Sequence, residues 1–217
     1  MTIAQFVNIP GHHNFVIEGP KGNIEVGLSI PQVTNFDYFA IIGHPHPLQE
    51  GTMNNKVVTT TAKKFVDMQI PVMRFNFRGV GATQGAFDHG IGETLDMLYL
   101  IGLWKALYPQ SKLILSGFSF GSYVATRAAQ VVECALLILI APPVARFQFQ
   151  PQSIPTVILM GDADEVVEPQ DVRVFAESVM PPIPIEWFED TGHFFHGKLL
   201  ILKDVLDRWI NTCLTRP

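Results

Sequence analysis

The chain has 217 residues, enough for one domain of ordinary size, and its 47% apolar residues can fill a substantial core. Lys and Arg number 15 against 20 Asp and Glu, giving a net charge of -5 with no basic block to follow a phosphate backbone, which excludes nucleic acid as an expected partner. The first residues do not resemble a secretory signal, and the longest apolar run, ALLILIAPPVA, is well short of the roughly 20 residues that span a bilayer. We therefore expect a single domain over residues 1–217 of a cytoplasmic protein without membrane partners.

The predicted elements begin with a hairpin. Residues 14–31, NFVIEGPKGNIEVGLSIP, have alternating apolar residues beside a Gly-Pro-Lys-Gly turn, which is typical of two antiparallel strands. Short apolar runs then alternate with longer stretches of helical spacing. The further strand candidates are YFAII (38–42), IPVMRFNF (70–77), KLILSGF (112–118), CALLILI (134–140), IPTVILMG (154–161) and IPIEWFE (183–189). The helix candidates cover residues 52–69, 92–108, 119–131, 169–180 and 197–214.

This alternation indicates the fold class. Strands that alternate regularly with helices form right-handed crossovers, which predict an α/β fold with a mostly parallel sheet and helices on both faces. In such sheets the reactive groups follow the carboxyl ends of the strands. Candidate catalytic residues are therefore sought in the loop after each strand.

The segment GFSFGS, residues 117–122, has the pattern G-x-S-x-G with Ser119 at its centre. In a nucleophile elbow the serine lies on a sharp, strained turn between a strand and a helix, and small neighbours leave room for that turn. The strand KLILSGF precedes Ser119 and the helical run YVATRAAQVV follows it. Both flanking elements favour an elbow over a chance match.

A nucleophilic serine needs two partners. Because its hydroxyl is weakly nucleophilic at neutral pH, it requires a histidine base, and the histidine requires a carboxylate that orients it. The partners are expected in the order serine, acid, histidine. The loop after TVILMG offers Asp162, Asp164 and Glu165, and the loop after IEWFE offers His193 and His196.

Taken together, these residues resemble the α/β-hydrolase superfamily, and within it small lidless bacterial hydrolases related to dienelactone hydrolases and short-chain carboxylesterases. The matching segments extend from residue 44 to residue 197: HPHPLQEGTMNNKVV, RFNFRGVGATQG, GFSFGS, GDADEVV and GHFFHG. The resemblance implies an α/β-hydrolase fold, with the antiparallel hairpin at its N-terminus and no lid domain, and a serine-hydrolase mechanism. It does not imply a substrate.

The resemblance also favours one residue in each partner loop. Hydrolases of this kind usually present their acid as G-x-x-D-x-x-V, which selects Asp164, whereas Asp162 is expected to close the turn through backbone amides. His193 is at the tip of its loop, and His196 lies where the last helix should begin. The predicted catalytic residues are therefore Ser119, Asp164 and His193.

The loop after YFAII reads His-Pro-His-Pro where the superfamily often has His-Gly. The oxyanion of the reaction needs two backbone N–H donors, one from Phe120 after the nucleophile and one from this loop. Proline has no N–H group, so Pro45 and Pro47 cannot supply the second. The second donor is predicted to be His46 or Leu48, and the register favours His46.

Two alternative sites in these loops are weaker. His44 and His46 form an i, i+2 pair, but no motif supplies the third ligand of a catalytic zinc site, so His44 is expected to brace its loop. The segment GVGATQG lacks the third glycine of a dinucleotide-binding fingerprint. We predict no metal and no cofactor.

The segment between CALLILI and IPTVILMG is too short for a lid domain. We therefore expect an open, shallow site for small or flexible substrates. Several phenylalanines flank the catalytic loops, and the predicted substrate pocket comprises Phe118, Phe147, Phe149 and Phe194.

The predicted function is hydrolysis of small ester or acyl substrates through an acyl-enzyme intermediate, by a serine hydrolase of carboxylesterase type. A thioesterase, lactonase or peptidase would use the same groups. The alternative of a different class is a non-catalytic hydrolase-fold protein that binds a small ligand. The sequence is compatible with a monomer or a homodimer.

Overall fold

A single eight-stranded sheet organises the computed structural model, which describes residues 1–150 and 154–215. The strand order is β1-β2-β4-β3-β5-β6-β7-β8. The strands are β1 (Gly11–Gly19), β2 (Gly22–Ile30), β3 (Tyr38–Gly43), β4 (Val72–Phe75), β5 (Lys112–Phe118), β6 (Leu136–Ile140), β7 (Thr156–Gly161) and β8 (Ile185–Phe188). Both hairpin strands and all six further strand predictions are confirmed.

The sheet is antiparallel only at its N-terminal end. β1 pairs with β2, and β2 pairs with β4, in antiparallel register, and every later pair is parallel. Alternation along the hairpin directs Phe15, Ile17, Val26 and Leu28 into the core. The central strands β3 and β5 bury nearly every residue, as expected for strands covered on both faces.

In the part of the chain that the structure describes, five α-helices cover the sheet: α1 (Lys56–Asp67), α2 (Ile91–Leu107), α3 (Phe120–Ala129), α4 (Pro169–Glu177) and α5 (Leu199–Leu214). In the sheet, β4 and β5 lie on either side of β3, so the connection from β3 to β4 and the connection from β4 to β5 run in opposite directions. Right-handed crossovers in opposite directions place α1 and α2 on opposite faces. α1 packs against α5, and α2 packs against α3.

The reversal of direction creates a crevice between the carboxyl ends of β3 and β5, the position where ligands bind in open α/β sheets. The loop after β3 and the turn after β5 both open into it. The residues between β6 and β7, 141–155, are too few for a further domain, although residues 151–153 lie outside the described part of the chain.

The helix boundaries differ from the predictions by a few residues. α1 begins at Lys56 and not at residue 52, because the Asn55 side chain accepts the Val57 N–H at 2.9 Å and caps the helix there. α5 begins at Leu199, after Gly197 with a φ of 74°. Within the described residues, no helix is both long and apolar enough to cross a bilayer.

Candidate active site

Ser119 lies at the turn between β5 and α3 with a φ of 53° and a ψ of -122°. This backbone conformation is strained for a residue with a side chain, and such strain concentrates at functional sites. The Ser119 N–H donates to the Ile140 carbonyl of β6 at 2.8 Å, which fixes the turn at the edge of the crevice. Ser119 therefore lies on a sharp turn that leads from the strand directly into the helix.

Two glycines make this turn possible. A Cβ on Gly117 would collide with the backbone of Gly121, so the strand and the helix can cross only with a glycine at that position. A Cβ on Gly121 would collide with the carbonyl groups of Gly43 and His44. The second glycine thus lets the loop after β3 lie directly against the first turn of α3.

Three side chains from three loops form one hydrogen-bonded series. His193 Nε2 lies 3.0 Å from Ser119 Oγ, and His193 Nδ1 lies 2.7 Å from Asp164 Oδ2. A carboxylate accepts only, so Nδ1 carries the proton and Nε2 is free to accept the serine proton. All three residues are buried. The series therefore places a hydroxyl, an imidazole and a carboxylate in hydrogen-bond reach of one another.

Backbone amides of the loop after β7 fix the orientation of the Asp164 carboxylate. Its second oxygen, Oδ1, accepts the N–H groups of Val166 and Val167, each at 2.8 Å. These bonds leave Oδ2 directed at His193. The carboxylate of Asp162 instead lies 3.5 Å from the Thr191 amide in the histidine loop, so it links the two loops and does not close its own turn.

The histidine loop has a support that the sequence does not reveal. Glu165 Oε2 accepts the backbone N–H of His193 at 3.1 Å. A Cβ on Gly192 would meet this carboxylate, which explains the glycine before the histidine. His196 is exposed, and its ring lies 6.0 Å from that of Phe194.

His44 connects the loops after β3 and β4. Its Nε2 accepts the Phe77 N–H at 2.9 Å, and its protonated Nδ1 donates to the Pro45 carbonyl at 2.6 Å. The side chain is fully buried, and burial lowers the pKa of His44 to about 3. The imidazole is therefore neutral and fully hydrogen-bonded, which fits the predicted bracing role.

The loop that follows closes on the His46 carbonyl, which accepts the N–H groups of Gln49 and Gly51 at 3.0 and 3.1 Å. The Leu48 N–H donates to His46 Nδ1 at 3.2 Å. By contrast, the N–H groups of His46 and Phe120 have no acceptor within residues 1–150 and 154–215. Over the same residues, no group of three or more His, Cys, Asp and Glu side chains is arranged to hold a metal ion.

Comparison with known proteins defines the family. No family model matches the sequence. An uncharacterized protein of Rickettsia prowazekii is 42% identical over 164 residues, which cover 71% of this chain and 68% of that protein. A Xanthomonas campestris α/β serine hydrolase without a lid is 38% identical, with a TM-score of 0.90 over 95% of this chain and 97% of its own. The chain belongs to the lidless α/β serine hydrolases.

A second structure supports this assignment. An α/β serine hydrolase homologue of Coxiella burnetii is also 38% identical, with a TM-score of 0.87, and the match covers 92% of this chain and 98% of the other. The expected superfamily, fold and lidless architecture are thereby confirmed.

Two aromatic groups flank Ser119 in this hydrolase. On one side the Phe120 ring lies 5.0 to 5.5 Å from the rings of His46, Phe87 and Phe147, and Phe147 stacks on Tyr123 at 4.8 Å. Partial burial lowers the pKa of His46. Phe87 is not among the predicted pocket residues, because it follows the matching segment RFNFRGVGATQG and carries no motif of its own.

The second aromatic group surrounds His193. The Phe118 ring lies 5.0 Å from the imidazole and is fully buried, whereas Phe194 packs edge-on against His193 at 5.2 Å and is 40% exposed. Phe149 is buried between Tyr123 and Phe175. Of the four predicted pocket residues, Phe147 and Phe194 thus have surface facing outward, while Phe118 and Phe149 lie behind them.

A buried ion pair fixes the loop that carries Phe87. Arg78 donates to both oxygens of Asp96, at 2.8 and 2.9 Å, and this pairing raises the pKa of Arg78. Glu93 accepts the N–H groups of Asp88 and Gly90 at the start of α2. These bonds hold both ends of the loop that carries Phe87 onto α2.

Proposed function

We propose that this hydrolase is a carboxylesterase that acts on small esters through Ser119, His193 and Asp164. One observation carries the proposal: Ser119 Oγ, the two ring nitrogens of His193 and Asp164 Oδ2 lie in series at 3.0 and 2.7 Å. Ester chemistry suits this arrangement because the series combines an alcohol nucleophile with a base that can also protonate an alkoxide leaving group.

In the first half-reaction, His193 Nε2 takes the Ser119 proton as Oγ attacks the ester carbonyl. The resulting imidazolium is stabilised by the Asp164 carboxylate, which stays ionised. His193 then returns the proton to the departing alcohol, leaving an acyl group on Ser119. In the second half-reaction, His193 removes a proton from water as the water oxygen attacks the acyl carbonyl. The bond to Ser119 Oγ then breaks, His193 returns the proton to Oγ, and the acid is released.

The oxyanion formed in each half-reaction requires donors that are already in place. We assign this role to the backbone N–H groups of Phe120 and His46. Two facts support the assignment: neither N–H group has an acceptor in the described part of the chain, and Gly121 allows the His46 loop to lie against α3. The Leu48 N–H is a poorer candidate because it donates to the His46 ring.

The substrate proposal follows from the surface near Ser119. Phe147 and Phe194 offer apolar contact on two sides, with Phe118 and Phe149 packed behind them. Without a lid, nothing in the described fold encloses a long chain. We therefore assign short acyl groups, or compact aromatic ones, to this site.

Thioesters, lactones and peptides are alternatives that need the same three side chains. A role in ligand binding without turnover would leave the hydrogen-bonded series of Ser119, His193 and Asp164 without a use, and we therefore favour hydrolysis.

A panel of p-nitrophenyl esters of rising acyl length, with matching thioesters, tests the proposal. We expect the highest kcat/KM for short-chain oxygen esters and a loss of about 10³-fold or more in Ser119→Ala. Ser116→Ala is the matched control, since the Ser116 hydroxyl is buried on β5, the strand that precedes Ser119, and has no hydrogen-bond partner among the described residues. An optimum at long chains or for thioesters would contradict the substrate assignment, and unchanged hydrolysis by Ser119→Ala would contradict the mechanism.

A further inference from the structure

In addition to the crevice beside Ser119, a cavity of about 340 Å³ lies between the β1–β2 hairpin and α1. It is built from elements that contribute nothing to the catalytic series. Its polar lining residues are His12, Ser29, Gln32, Thr59, Lys63 and Arg74. No Asp or Glu lines it.

Arg74 is the unusual member of this lining. The side chain is only 6% exposed, and it donates to the Met53 carbonyl at 2.6 Å, to Asn54 Oδ1 at 3.3 Å and to His12 Nε2 at 3.2 Å. Its Nε has no partner, and no carboxylate pairs with it among the described residues. A buried cation without a counter-charge is costly, and native proteins normally pair such charges.

The neighbouring groups are oriented as donors. Arginine can only donate, so His12 Nε2 accepts from Arg74 and the His12 proton lies on Nδ1, which donates to Ser29 Oγ at 2.9 Å. The Ser29 hydroxyl therefore keeps its own proton for another acceptor. Lys63 is exposed and has no ion-pair partner within residues 1–150 and 154–215.

We propose that this cavity binds the oxyanion of a small ligand, a carboxylate or a phosphate group, with Arg74, Lys63 and Ser29 as the donors. The bound anion would supply the counter-charge that the fold lacks at Arg74. Guanidinium and ammonium groups beside a hydroxyl donor are the usual ligands for such anions. The cavity is larger than an inorganic phosphate, so it has room for the body of a small metabolite.

The test is calorimetric titration of the full chain with inorganic phosphate and, separately, with acetate, at constant ionic strength set with chloride. We expect saturable binding at one site per chain for at least one of these anions. Tighter phosphate binding would identify a phosphate ligand, and tighter acetate binding a carboxylate ligand. The same affinity is expected in Ser119→Ala, which separates this site from the catalytic one.

Variants locate the site. Lys63→Ala is expected to weaken binding about tenfold, and Ser29→Ala about fivefold. Lys56→Ala is the matched control, because it removes an exposed lysine from the same helix outside the cavity, and it should stay within about twofold. Arg74→Met should abolish binding, and if it does not fold, Lys63→Ala and Ser29→Ala decide. No saturable binding of either anion, or equal weakening by Lys56→Ala and Lys63→Ala, would overturn the proposal.

Discussion

The backbone N–H of Phe77 donates to Nε2 of His44 at 2.9 Å, and this bond joins the loops after two neighbouring strands. Both ring nitrogens of His44 are engaged, and the ring packs 4.1 Å from that of Phe77. The protonated form would lose the Phe77 bond, since Nε2 could no longer accept. A neutral histidine is therefore part of the frame that holds the His46 loop at the crevice.

This arrangement predicts a pH-dependent stability. In the folded protein the pKa of His44 is about 3, below the unfolded value of 6.5. As the pH falls below 6.5, His44 becomes protonated in the unfolded chain but stays neutral in the folded chain. The contribution of His44 to the free energy of unfolding should therefore fall by about 1.4 kcal/mol per pH unit. Chemical denaturation at pH 8.0, 6.0 and 5.0 measures this slope.

The difference between wild type and His44→Gln isolates the contribution of His44, because the other titrating groups are shared. At pH 8 the variant should be less stable by about 1–3 kcal/mol, and the gap should narrow on acidification. His196→Gln removes an exposed histidine and should follow the wild-type slope. A gap between wild type and His44→Gln that is constant with pH would contradict the proposed neutral state.

Two glycine-to-alanine substitutions, at Gly121 and Gly102, should change the free energy of unfolding in opposite directions. Gly121→Ala places a Cβ against the carbonyl groups of Gly43 and His44, and we expect a loss of at least about 2 kcal/mol in unfolding free energy, together with lower esterase activity. Gly102→Ala adds a Cβ to the exposed side of α2, where no atom lies within 4 Å. It should stabilise the protein by about 0.5–1 kcal/mol and leave activity unchanged. Thermal and chemical unfolding of both variants checks the prediction, and a tolerated Gly121→Ala would contradict the close packing of this loop on α3.

The order of the reactive loops could be predicted because the strands are parallel. Every loop that leaves a carboxyl end opens at the same edge of the sheet, so the strand pattern predicts that the loops of Ser119, Asp164 and His193 lie together. The choice of Asp164 over Asp162 also needed the family pattern G-x-x-D-x-x-V. The partners of His44 and Glu165 could not be predicted in this way. Each bonds a backbone amide that belongs to a loop distant in sequence, and an amide has no signature in the sequence.

The surroundings of Arg74 could not be predicted from the sequence for a different reason. In the sequence Arg74 interrupts an apolar strand, which predicts only that its side chain lies on one face of the sheet. Its isolation from carboxylates depends on what α1 and the hairpin place beside it, and this follows from packing and not from local pattern. The start of α1 is a smaller case, because the cap by Asn55 competes with several other candidates in TMNNK.

Substitution of Asp162 and of Asp164, both in the loop after β7, distinguishes the roles of the two residues. Asp164→Asn keeps the shape of the side chain but removes the charge that stabilises the imidazolium, and it can favour the wrong tautomer of His193. We expect a fall in kcat of about 10³–10⁴-fold with p-nitrophenyl acetate. Asp162→Asn should stay within a fewfold of wild type, because Asp162 is exposed and its carboxylate lies 3.5 Å from the Thr191 amide, away from the His193 ring. Equal losses in the two variants would contradict the assignment of Asp164.

The central claim is that Ser119 is the nucleophile, and covalent labelling tests it most directly. Intact-mass spectrometry after treatment with a fluorophosphonate should show one adduct per chain in wild type and in Ser116→Ala, and peptide mapping should locate it on Ser119. Ser119→Ala should remain unmodified under the same conditions. Absence of an adduct on folded wild-type protein, or an adduct of equal yield in Ser119→Ala, would contradict the account.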